Sequence, residues 1–154
     1  MNKIRRIVVG TDFSELANHA LDVALDLAEQ VGASVTLVHS YEVPVYAAPD
    51  GSYMTATANV TDAVVEAAQK ELTRLTEEKQ ARGVPLTSSL RLGAPWEEIN
   101  GVAAEENADL VVVGTHGRRG LSRALLGSVS ERVIRTAHRP VLVVRGAEPA
   151  SPSP

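Results

Sequence analysis

The sequence predicts a single doubly wound α/β domain, a five-stranded parallel sheet with helices on both faces. Three observations carry this. Short apolar runs alternate along the chain with longer segments whose apolar residues recur at helical spacing, which is the order of right-handed β-α-β crossovers. Several runs are apolar throughout, LVVV at 110–113 being the clearest, as strands covered on both faces require. The chain has 154 residues, 44% of them hydrophobic, which suits one domain with a sizeable core.

Each element follows from local chemistry. Ile4 and residues 7–9 form a first strand ended by Gly10-Thr11-Asp12, where Asp12 is placed to cap a helix and Glu15 completes a capping-box pattern. Leu16, Ala20, Val23, Ala24 and Leu27 recur at helical spacing until Val31-Gly32 closes that helix. Residues 35–39 read as a second strand. Residues 41–60, with Pro44, Pro49 and Asp50-Gly51, have no strong period and read as a long loop of the kind that is often functional. A second helix is expected over about 62–81, with Val64, Val65, Ala68, Leu72 and Leu75 facing inward, before Gly83 and Pro85. Leu86–Leu92 alternates like a strand at a less buried position. Pro95 opens a third helix with Glu97 and Glu98 in its first turn and Ile99, Val102 and Ala103 on its inner face. The strand at 110–113, a helix over about 128–137 and a last strand at Val141–Val144 complete five strands and four helices. The domain is expected to span 1–145, and residues 146–154, GAEPASPSP, are too polar and proline-rich to pack and are expected to be disordered.

Composition excludes several functions. Net charge is −4, from 15 basic and 19 acidic residues, with no basic run or aromatic platform to suit nucleic acid. There is no cysteine, so disulfides, thiolate metal sites and a cysteine nucleophile are absent together, as fits a reducing cytoplasm. No stretch approaches a membrane span and the N-terminus lacks a signal-peptide core, so a cytoplasmic location is expected.

The most informative stretch is 110–130, LVVVGTHGRRGLSRALLGSVS. Its order is strand, glycine-rich loop, helix, which aims backbone N–H groups at a helix N-terminus where an anion is favoured. Between Asp109 and Glu131 the only formal charges are Arg118, Arg119 and Arg123. The glycines run Gly114-x2-Gly117-x9-Gly127-Ser128, unlike the Walker A loop, since no lysine follows Gly127, and unlike the dinucleotide G-x-G-x-x-G. Ser128 and Glu131 also fit a ligand-free capping box.

With GTDFS at 10–14, GTHGRRG at 114–120, GSVSE at 127–131 and RPVLVVR at 139–145, the chain resembles the ATP-binding branch of the universal stress protein family over almost its whole length. The resemblance implies the strand order 3-2-1-4-5, with the first and fourth strands side by side. It implies that Thr11 and Asp12 meet the ribose and adenine end of ATP, with main-chain atoms near Ser40 beside the base. Val113, Gly114 and Gly117 would line the base and phosphate path, and Gly127, Ser128, Val129 and Ser130 would hold phosphates that also carry Mg²⁺. Thr115 stands where serine is common in the family, and Gly10 where many members have proline or an apolar residue beside the aspartate. A homodimer through the edge strand Val141–Val144 is also implied, and the run of β-branched residues there points the same way.

Each candidate has a plainer reading. Asp12 caps a helix in many folds of this class, His39 reads as a satisfied core histidine, His19 and His138 as surface residues, and Trp96 as packing. His116 reads as shaping the loop rather than as a general base. No histidine–carboxylate spacing suggests zinc. Three function classes stand: an ATP-binding regulatory protein with slow or no hydrolysis, an ATP-hydrolysing or adenylating enzyme, and a flavodoxin-like flavin carrier. The enzyme lacks a phosphate-reaching lysine and a carboxylate pair for metal, and the flavin carrier lacks an aromatic in the glycine loops.

Overall fold

The computed structural model describes residues 3–117 and 125–146. In chain order the elements are β1 (Arg6–Gly10), α1 (Glu15–Val31), β2 (Ser34–Tyr41), β3 (Val45–Ala47), β4 (Tyr53–Thr55), α2 (Ala58–Gln80), β5 (Leu86–Leu92), α3 (Pro95–Glu105), β6 (Leu110–Gly114), α4 (Ser128–Thr136) and β7 (Val141–Val144). Five strands form one sheet in the order β5-β2-β1-β6-β7, every pair parallel. With the small hairpin β3–β4 set aside, this is the order 3-2-1-4-5. Strand order therefore reverses between β1 and β6, where Ile7, Val8 and Val9 pair with Leu110, Val111 and Val112.

Alternation along the central strands explains their unbroken apolar runs. Ile7, Val9, Val35 and Leu37 face a core completed by Leu21, Leu25, Leu72 and Leu75 of α1 and α2. Val8, Val38, Val111 and Val113 face the opposite core, built with Ile99 and Val102 of α3 and Val133 of α4. The edge strand β5 is only partly buried, with Leu86 in the core and Leu90 packed against it, as its mixed polar and apolar sequence requires. At the other end of the sheet, away from the cleft described below, Asp109 accepts hydrogen bonds from the N–H groups of Arg5 and Arg6 at 2.8 and 3.0 Å. These bonds hold its carboxyl below the usual carboxylate range.

Three expectations change. Ser14, not Asp12, caps α1: its Oγ accepts from the Ala17 N–H at 3.2 Å, and Gly32 ends the helix in the left-handed conformation, φ 71°. The buried face of α1 accordingly runs through Ala17, Leu21, Leu25 and Ala28 as well as Ala20 and Ala24, while Leu16, Val23 and Leu27 are only half-buried. Residues 41–60 are not one loop, since they contain β3, β4 and the first turn of α2. Their hairpin closes through Ala48 N–H to Ser52 O at 2.7 Å and Ser52 N–H to Asp50 Oδ1 at 3.0 Å, around Gly51 at φ 83°. Ser128 and Glu131 make no capping box. Gly127 occupies the cap position with no side-chain bond, and Glu131 instead pairs with Arg135 at 2.8 Å. The expected disordered tail falls, from residue 147 onward, outside the described residues, as do Arg118, Arg119, Gly120 and Arg123.

Candidate functional site

In open parallel sheets ligands sit beyond the carboxyl ends of the strands where strand order reverses. A cleft of about 380 Å³ lies there. Thr11 and Asp12 reach it from the end of β1, Ser40 from β2, Val113, Gly114 and Gly117 from β6 and the turn after it, and Gly127, Ser128, Val129 and Ser130 from the start of α4. All ten residues singled out in the sequence thus line one cavity. Gly10, Ala17, His39, Pro95, Ile99 and His116 line it too, and of these the sequence reading gave Ala17, His39, Pro95 and Ile99 no place in a site.

The β1 side is a strained turn. Thr11 is buried and ties back to the sheet through its N–H, which donates to Val38 O at 2.9 Å. Phe13 has φ 64°, a left-handed conformation that costs a residue with a side chain roughly 1–2 kcal/mol. Two local bonds offset this: Phe13 N–H donates to Thr11 Oγ1 and Ser14 N–H to Asp12 Oδ1, both at 3.0 Å. Asp12 therefore shapes the turn before α1 with one carboxylate oxygen, while its other oxygen faces Gly117 so closely that a Cβ on that glycine would collide with it.

The β6 side is held just as firmly. Thr115 N–H donates to Val144 O at 3.0 Å, and its own carbonyl accepts the Gly127 N–H at 2.6 Å. Gly127 has an ordinary φ of −65°, so its need for glycine is spatial: a Cβ would lie 2.9 Å from His116 Cα and 3.1 Å from Thr115 O. The buried Ser130 spends its hydroxyl on the carbonyl of Gly114, 2.5 Å away. This stitches the first turn of α4 to the end of β6. The first backbone donor used within α4 is Glu131 N–H, to Gly127 O at 2.9 Å, so the amides of Ser128, Val129 and Ser130 precede the helix's own bonding at the wall of the cleft. Such amides and the helix dipole together favour an anion.

His116 lines the cleft with Nδ1 3.2 Å from Thr115 Oγ1. His39 is satisfied, as its sequence context suggested, by the Thr11 carbonyl 2.9 Å from its Nδ1. It also reaches the cleft. Trp96 packs against the core beneath α3 with Arg132 5.5 Å above its ring. Among the described residues no group of three or more histidines or acids could hold a metal ion, and no helix is long and apolar enough to cross a membrane.

Fold and cleft together define a doubly wound α/β protein with an anion-suited pocket at its topological switch point. The model of the universal stress protein family matches residues 3–145, and the chain belongs to that family. It is 36% identical over 146 residues to the universal stress protein MJ0531 of Methanocaldococcus jannaschii, covering 94% of this chain and 84% of that protein. The solved structure of MJ0577 from the same organism superimposes with a TM-score of 0.79 at 26% identity, covering 96% of this chain and 100% of that one. A universal stress protein solved in complex with cAMP superimposes with a TM-score of 0.68 at 27% identity, covering 94% of this chain and 98% of that one.

Proposed function

We propose that this chain binds an adenine nucleotide, ATP with Mg²⁺ foremost, in the cleft between β1 and β6, and acts through its nucleotide-dependent conformation or partners with slow or no hydrolysis. The observation that carries this reading is the start of α4: three amides ahead of the helix's own bonding, beside two glycines with no room for a side chain, at the switch point of the sheet. A relative of this fold was solved with cAMP, an adenine nucleotide, which supports the choice of base.

The donors fit the ligand by chemistry. The amides of Ser128, Val129 and Ser130 suit phosphate oxygens, and the Ser128 hydroxyl is exposed and able to join them. Thr11, Asp12 and Ser40 offer polar atoms to ribose and base, and Ile99, Val113 and Ala17 offer apolar surface to a purine. Asp12 is the one acid among the described lining residues, so Mg²⁺ would be held chiefly by the phosphates and water, the usual manner of that ion. ATP supplies a transferable phosphoryl group, yet the described cleft walls set no lysine beside the amides. His116 turns its Nδ1 to Thr115 and Asp12 gives Oδ1 to Ser14, which argues for retention over turnover.

Mass spectrometry of the chain purified without added nucleotide tests the reading. An adenine nucleotide released on denaturation is the expected result, and a released flavin would overturn it.

A further inference from the structure

His39 lines the cleft but has no part in the nucleotide reading so far. It lies near the carboxyl end of β2, on the face that Val35 and Leu37 turn toward α1 and α2. Its Nδ1 is 2.9 Å from the carbonyl oxygen of Thr11. A carbonyl only accepts, so Nδ1 carries the proton and the neutral ring has one tautomer. The same ring lies against Phe13, with centroids 4.3 Å apart and planes inclined by 37°. One side chain of β2 therefore grips both ends of the tripeptide Thr11-Asp12-Phe13, with Asp12 between the two contacts.

That tripeptide needs gripping. Phe13 sits at φ 64°, which a bulky residue keeps only where its surroundings over-determine it. The bonds from Phe13 N–H to Thr11 Oγ1 and from Ser14 N–H to Asp12 Oδ1 lie within the turn itself and would move with it. The contacts of His39, with the Thr11 N–H bond to Val38 O, fasten the turn to the neighbouring strand.

We propose that His39 is a positioning residue for the nucleoside end of the cleft: by holding the Thr11 carbonyl and the Phe13 ring it sets where the Asp12 carboxylate projects. The inference rests on the nucleotide reading above and adds a residue to it. What the role requires is an N–H donor where Nδ1 now stands. Asparagine presents one the same number of bonds from the backbone, and glutamine moves it one carbon outward.

The test titrates the full chain, His39→Asn, His39→Gln and Asp12→Ala, and each His39 variant combined with Asp12→Ala, with ATP and with adenosine by calorimetry. Circular dichroism verifies that each is folded. His39→Gln should weaken ATP and adenosine by the same factor, about tenfold, and His39→Asn should restore affinity to within about threefold of the parent chain. In the Asp12→Ala background His39→Gln should have a much smaller further effect, a coupling that a packing role alone does not produce. Parent-like affinity in folded His39→Gln, or an undiminished further loss in the Asp12→Ala background, overturns the role. So does unfolding of His39→Asn, because packing of the ring would then be what matters. If the unsubstituted chain binds neither ligand, the nucleotide reading fails and takes this inference with it, an outcome told apart by that first titration.

Discussion

Asp12 and Gly117 meet across the mouth of the cleft, and the contact leaves Gly117 no room for a side chain: a Cβ there would strike Asp12 Oδ2 and lie 3.2 Å from its Cγ. The two residues belong to the turns that follow β1 and β6, neighbours in the sheet although about a hundred residues apart in the chain. The glycine spacing of the loop is thus also a record of how closely a turn from the far end of the sequence approaches.

Gly117→Ala should therefore displace the Asp12 carboxylate without unfolding the domain, because the obstructing atoms are the far end of a flexible side chain. Affinity for ATP should fall by about tenfold, ~1.4 kcal/mol, with little change in melting temperature. Unchanged affinity by calorimetry would separate Asp12 from the ligand.

Gly127→Val should behave differently, since its new atoms would meet backbone at 2.9 Å from His116 Cα rather than a side chain that can turn away. Overpacking of this kind costs about 1–3 kcal/mol, and nucleotide binding should be lost with it. Urea denaturation checks the first part: parent-like stability would mean that the close approach of α4 to residues 115 and 116 does not hold in solution.

Ser14→Ala and Asp12→Ala should divide stability from binding. Ser14 caps α1, so its loss should cost about 1 kcal/mol and spare ATP affinity, whereas Asp12→Ala should fall mainly on affinity. Thermal melts and titrations of the pair would contradict this division if the two effects were exchanged.

Asp109 should stabilise the fold in a pH-dependent way. Its folded-state pKa is depressed, first by the Arg5 N–H and then by the Arg6 N–H. The contribution is therefore complete above the unfolded value, about 3.9, and is lost as pH falls through the folded value below it. Asp109→Asn should lower stability at neutral pH and flatten the acid limb below about pH 4. Urea midpoints at neutral and acid pH measure both.

β7 should join two copies. It pairs with β6 on one side and no described strand pairs its other side, and Val141, Leu142 and Val143, which pack on the two faces of the sheet, are only half-buried. A two-fold related β7 would cover that edge. Sedimentation should show a dimer that Val143→Lys dissociates, and a monomeric parent chain would defeat the interface.

Apolar runs and glycine spacing made much of this legible in sequence. The central strands are legible because burial on two faces leaves them almost continuously apolar, as at Leu110 to Val113, whereas the edge strand Leu86–Leu92 is legible only from its alternation. Periodicity is blind to lateral order, so the order of the strands came only from the family resemblance. The hairpin was hidden because VYA and YMT are too short for any period and are held by turn bonds around Asp50 rather than by a buried face. Asp12 reads as the cap because its spacing to Glu15 fits a capping box, whereas Ser14 occupies that position. The left-handed Phe13, which moves the helix start to Ser14, gives no compositional signal. Ala17 and Ile99 escaped the site for a simpler reason: an apolar residue at helical spacing looks the same whether it faces a core or a cleft.

The nucleotide site itself is tested most directly by calorimetric titration of the nucleotide-stripped chain with ATP and Mg²⁺, alongside GTP. One saturable ATP site per chain, filled in preference to GTP and lost in Gly127→Val, is the predicted result. Absence of saturable binding up to about 1 mM ATP, a free energy weaker than about −4 kcal/mol, would contradict the account.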